Sequence, residues 1–175
     1  MSIARFLVTA AALSLFAQAA VADDVSISHT FTGVNIGAAL QVDHNPDADP
    51  WKGYFTATVT NNSGQDWGDF HFQLIRNLGF GTPSLVVFDD TPNTFTMTGA
   101  VGYSYVISPD LLSTDFYFYG DPVAPTESVT FTIYTDNTAN QQPFGMLLYP
   151  TPVPEPAALG LLALGALVLL QPRRH

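Results

Sequence analysis

The chain has 175 residues and a net charge of −10, with 15 aspartates and glutamates against 5 lysines and arginines, and it contains no cysteine. Without thiols it can form no disulfide, no zinc-thiolate site and no cysteine-based catalytic or redox centre. The acidic balance repels phosphate backbones and argues against nucleic acid as a partner.

In chain order, residues 1–22 read as a secretory signal peptide. Arg5 precedes an apolar run over 6–16, and Ala20-Val21-Ala22 supplies the small-x-small pattern at which such a peptide is cut. The expected mature chain begins at Asp23, exported through the Sec machinery.

Residues 23–152 form a stretch of 130 residues, one domain of ordinary size. A chain of that length buries roughly two thirds of its unfolded surface, enough for a core without staples. It holds 14 of the acids but only Lys52 and Arg76 as strong bases, a local net charge of −12. Such a surface suits a soluble exported domain and disfavours anionic lipid or acidic polymers unless divalent cations bridge the two.

The pattern within this domain is β throughout. Apolar and polar residues alternate over 25–31, 54–60, 70–74 and 129–134, and no segment repeats at the helical period. The domain carries 20 aromatic residues and 17 threonines, types that fit a pleated surface. Turn signals recur along the chain, among them Asn45-Pro46, Asn61-Asn62-Ser63-Gly64, Ser108-Pro109-Asp110 and Gly120-Asp121-Pro122. About eight or nine short strands at this spacing imply an all-β fold, an antiparallel β-sandwich with jelly-roll and immunoglobulin-like topologies both open. The stretch 58–67 reads as a central hairpin whose second strand is opened by Trp67. In that strand Phe70, Phe72 and Leu74 are expected to face the core, and Asp69, His71 and Gln73 to face water.

Four constellations bear on chemistry. Asp43, Asn45, Asp47 and Asp49 place oxygen ligands at alternate loop positions, a spacing that suits calcium. The loop is not an EF-hand, since Ala48 stands where the tight-turn glycine belongs and Tyr54 where the bidentate glutamate belongs. Asp66, Asp69 and His71 offer an acid-base or metal set, against the plainer reading of polar residues on a wet strand face. A glycan hydrolase needs two carboxyls facing each other across a cleft, which one sequence cannot pair. No Gly-x-Ser-x-Gly, His-Glu-x-x-His or phosphate-loop motif occurs, so no enzymatic activity is expected. For a carbohydrate-binding module, Trp51 and Trp67 are the leading stacking candidates, with Tyr103, Tyr105, Tyr117 and Tyr119 as further rings. The plainer reading puts these tyrosines on the rim of the core with wet hydroxyls.

The tail, 153–175, is built in three parts. Pro154-Glu155-Pro156 is followed by fourteen residues, 157–170, with seven leucines, four alanines, two glycines and one valine, and then by Gln171-Pro172-Arg173-Arg174-His175. At roughly −0.5 kcal/mol per central leucine the run favours insertion in a bilayer, and the arginines are held on the cytoplasmic side. At about 1.5 Å per residue the helix covers only roughly 21 Å of a core about 30 Å thick, a marginal transmembrane span. The two prolines keep the segment ahead of it extended and readable by a processing enzyme.

This order resembles the C-terminal sorting signal of PEP-CTERM proteins, with Pro154, Glu155 and Pro156 as the signature tripeptide and Arg173 and Arg174 as the basic cap. The resemblance covers 23 of the 175 residues, and Gln171-Pro172 stands where that family usually runs straight into its basic cluster. It implies recognition by an exosortase, a membrane-embedded cysteine-dependent transpeptidase of bacteria that make exopolysaccharide. The expectation is a protein that passes through an inner-membrane intermediate to the cell surface or extracellular matrix. Its expected role there is structural or adhesive, alongside exopolysaccharide. A carbohydrate-binding module and a glycan-active hydrolase are the alternatives.

Overall fold

The computed structural model describes residues 24–45, 51–79, 81–91, 95–99 and 102–154. The expected signal peptide with Ala20 and Ala22 lies outside the described residues, as do Glu155, Pro156, the apolar run 157–170, Arg173 and Arg174.

Ten strands are described: β1 (Val25–Phe31), β2 (Leu40–His44), β3 (Lys52–Asn61), β4 (Trp67–Ile75), β5 (Val87–Phe88), β6 (Thr96–Thr98), β7 (Ser104–Ile107), β8 (Ser113–Tyr117), β9 (Ser128–Asp136) and β10 (Phe144–Pro152). A single 3-10 turn, Ile36–Ala38, interrupts them. They form two sheets, one in the order β1-β3-β9-β5 with β6 also on β9, the other in the order β2-β10-β4-β8-β7.

The all-β expectation holds, with two corrections. The sheets are not wholly antiparallel, because β1 pairs with β3 in parallel, Val25 opposite Phe55 through Phe31 opposite Asn61. Nor is 58–67 a hairpin, since β3 and β4 belong to different sheets. The cause lies in the turn. Asn61, fully buried, donates through Nδ2 to the Gln65 and Val123 carbonyls, both at 2.8 Å, and accepts from the Ser63 backbone N–H at 3.0 Å. Its backbone N–H and carbonyl go to Glu127 and Thr126. The turn is thus tied to the loop before β9, and β3 takes β9 as its antiparallel neighbour, Thr60 opposite Ser128.

Strand alternation then explains the packing. Phe55, Ala57 and Val59 of β3 and Val129, Phe131 and Ile133 of β9 form one inner face, while Phe70, Phe72 and Leu74 of β4 and Phe116 of β8 form the other. The rings meet across the gap: Phe131 lies 4.7 Å from Phe70, 5.3 Å from Phe72 and 5.1 Å from Phe116, centroid to centroid. Phe31 of β1 packs edge-on against Trp67 and Phe70 of the opposite sheet. Such pairs contribute about 0.5–1.5 kcal/mol each beyond their burial.

The outer faces differ. On the first sheet Ser26, Thr56, Thr132 and Thr96 stand in one cross-strand line, and Ser28, Thr58, Thr130 and Thr98 in the next. Thr58 and Thr130 share a hydrogen bond of 2.9 Å. Toward one end the same face carries the Tyr54–Tyr134 ring pair and the Lys52–Asp136 ion pair, while the outer face of the second sheet carries His71, Asp115 and Tyr149 in one line.

Phe131 touches three rings of the facing sheet, so Phe131→Ala is expected to cost about 3–5 kcal/mol. Urea unfolding followed by tryptophan fluorescence checks this; a loss under about 1 kcal/mol would mean the two sheets do not depend on that contact.

Candidate functional site

The outer face of β10-β4-β8 gathers ionisable and aromatic side chains. Period-2 alternation on β4 sends Asp69, His71 and Gln73 to this face. Register then aligns Tyr149, His71, Asp115 and Val106 in one line across four strands, and Thr151, Asp69, Tyr117 and Ser104 in the next.

His71 sits between two carboxylates. Its Nδ1 is 2.7 Å from Asp115 Oδ1 and its Nε2 is 3.2 Å from Asp69 Oδ1. Nε2 also lies 3.3 Å from Thr151 Oγ1, and the ring stacks on Tyr149 with centroids 4.7 Å apart. Asp69 Oδ1 makes no well-directed hydrogen bond, so its contact with His71 is chiefly one of charge. Asp69 Oδ2 accepts from the Tyr119 hydroxyl.

Gly68 gives Tyr119 its place. The β4–β10 register slips beside it, Thr151 facing Asp69 and Pro152 facing Trp67, which leaves Gly68 as the extra residue of a bulge. A Cβ on Gly68 would come within 2.3 Å of Cδ1 and Cε1 of Tyr119. The ring therefore lies against the bare backbone, 47% exposed, and Asp69 beneath its hydroxyl is only 5% exposed. This corrects the expectation that Asp69 faces water: it points outward, but Tyr119 covers it.

The electrostatics follow from this enclosure. Burial alone would push the His71 pKa down, but the hydrogen bond to Asp115 and the close contact with Asp69, with the charges of both carboxylates, outweigh it and raise it to about 9. At neutral pH the ring is a cation with both nitrogens protonated, and it has no lone pair to offer a metal ion or a substrate proton. Tyr119 is pushed up to about 12, first by its bond to Asp69 and then by burial. Tyr117 and Tyr149 are raised by burial and by the charges of Asp115 and Asp69. The arrangement clamps three strands around one buried charge.

The other candidates fall elsewhere. Trp67 is fully buried, with its indole N–H 3.1 Å from Ser63 Oγ, so it belongs to the core and cannot stack on a ligand. Trp51 is half-buried, with φ of 63°, and its carbonyl accepts from the Asn137 N–H at the opposite end of the sandwich. Tyr103 and Tyr105 pack on the core rim, Tyr105 donating to Asp90 at 2.6 Å. Asp66 is exposed and gives its carbonyl to the Val153 N–H, outside the His71 cluster. Asp43 and Asn45 are exposed beside a cleft of about 360 Å³ that Leu78 and Pro143 help to bound, and Asp43 accepts from Gln41 at 2.7 Å. Asp47 and Asp49 lie outside the described residues. Asp115, Tyr149 and Gly68 escape sequence reasoning, although the alternation over 113–117 could have placed Asp115 on an outer face.

His71 links this cluster to stability. Its folded pKa stands above the unfolded value of 6.5, so its contribution is fully present below about pH 6.5 and is lost as pH rises through about 9. The difference is worth at most about 3 kcal/mol, reduced by solvent screening at this partly exposed ring. Urea midpoints of the wild-type protein are expected to fall between pH 6.5 and 9.5, and those of His71→Phe to start lower and stay level. Parallel slopes for the two proteins would remove His71 as the cause.

Comparison with protein-family models, curated proteins and solved structures finds no match to this chain.

Proposed function

We propose that the chain is an exported β-sandwich domain, tethered by its tail at the membrane and passed to the cell surface or extracellular matrix by an exosortase-type transpeptidase. Its role there is structural or adhesive, and no catalytic step is assigned to it. The observation that carries this reading is the order of Pro154-Glu155-Pro156, the apolar run 157–170 and Arg173-Arg174.

The fold supplies support of two kinds. β10 lies between β2 and β4 and ends at Pro152; one hydrogen bond later, Val153 to Asp66, Pro154 is already exposed. The tripeptide thus follows the domain without a linker, and a pull on the tail acts directly on an interior strand. The route of the chain also favours a jelly-roll type of sandwich over an immunoglobulin-like one. Among the described strands it passes from one sheet to the other at every step except β5–β6 and β7–β8.

Mass spectrometry of the protein's C-terminus, from cell and medium fractions of its host, tests the proposal. The expected result is a chain shortened near Pro154-Glu155-Pro156, and a full-length tail when all three residues are replaced by alanine. Recovery of the wild-type protein from the membrane with Arg174 still attached would make the tail a permanent anchor and end the sorting proposal.

A further inference from the structure

The outer face of β10-β4-β8 has a property that strand clamping does not require. Tyr117 and Tyr119 lie side by side, with centroids 6.3 Å apart and planes within 27° of each other. Tyr119 is held at both ends, its hydroxyl on Asp69 and its ring against the Gly68 backbone, while the residue remains 47% exposed. Val106, in line with Asp115, adds 56% exposed apolar surface. A ring fixed before any ligand arrives loses little rotamer freedom on binding.

We propose that this face is a platform for a neutral polysaccharide, with Tyr117 and Tyr119 stacking on sugar rings and Asp115 accepting from sugar hydroxyls. Two rings with nearly parallel planes offer apolar faces to the C–H face of a pyranose, whereas a compact cation is held by rings that surround it. The polar groups around the rings settle the charge of the ligand. Asp115 offers acceptor capacity one line from Ser104, and the His71 cation is enclosed by two carboxylates and unable to attract an anion. With 14 acids against two strong bases over 23–152, an acidic polymer is repelled. A ligand rich in hydroxyl donors and free of negative charge fits all of these conditions.

The platform gives the adhesive role a ligand, and to that extent rests on the export proposed above. Binding is measured on the purified protein, so its failure would leave tail sorting untouched, and an unprocessed tail would leave binding untouched.

The test is affinity electrophoresis of the full-length chain in mild detergent, through gels holding hydroxyethylcellulose, mannan or dextran as neutral polymers and alginate as an acidic one. At least one neutral polymer is expected to retard the protein, and alginate is not. Tyr117→Ala and Tyr119→Ala are each expected to weaken retardation about tenfold. Gly68→Ala keeps both tyrosines but removes the seat of one, and should weaken it comparably. Tyr117→Phe keeps the ring and should stay within about twofold. Far-UV circular dichroism of each variant separates lost binding from lost folding. The proposal is overturned if the wild-type protein passes every neutral gel unretarded, if alginate holds it as strongly as the neutral ones, or if folded Tyr119→Ala and Gly68→Ala bind like wild type.

Discussion

Everything on the surface of this domain depends on a few phenylalanines meeting between the sheets. With no cysteine available, the two sheets are held without covalent cross-links, and Phe131 of β9 is wedged against Phe70, Phe72 and Phe116 of the facing sheet. Each such side chain contributes about 1.5–3 kcal/mol by leaving water. The same contact sets the register. A slip of one residue in β4 would put His71 into the ring cluster and Phe70 and Phe72 into solvent, so the core decides which side chains stand outside.

The cluster around His71 is then a consequence of register combined with a local irregularity. Core packing puts Asp69 and His71 on the outer face and β8 brings Asp115 across from His71. The bulge at Gly68 opens the bare backbone on which Tyr119 rests, and Tyr119 closes over Asp69. Buried Asp69 and partly exposed Asp115 would repel if left alone; the imidazolium between them turns that repulsion into a three-strand clamp.

What the sequence reveals and what it hides divide along the same line. Alternation over 54–60, 70–74 and 129–134 marks β3, β4 and β9 and their inner faces, because a period of 2 is a local property. It also puts Asp69 and His71 side by side. Pairing is not local: nothing near β1 announces a parallel partner, and nothing near Asn61 announces that its turn joins two sheets. In β10, Pro150 and Pro152 argue locally against an interior position. They are tolerated because β2 pairs only as far as Leu148, leaving that side of the strand free, and the Pro150 carbonyl is taken up by the Asn35 N–H. Trp67 is ambiguous for another reason. A tryptophan at the head of a strand reads alike whether it caps the core or faces a ligand, and only the ring of Phe31 against it decides.

The hydroxyl-lined face of the other sheet has an electrical side. Its central lines from Ser26 to Thr96 and from Ser28 to Thr98 hold no ionisable group, while Asp43, Asp69 and Asp115 stand on the opposite sheet. A neighbour meeting those lines finds only hydroxyls and backbone and displaces no water from a charge, because the ionisable pair of the hydroxyl-lined sheet, Lys52 and Asp136, sits at one end of β3 and β9.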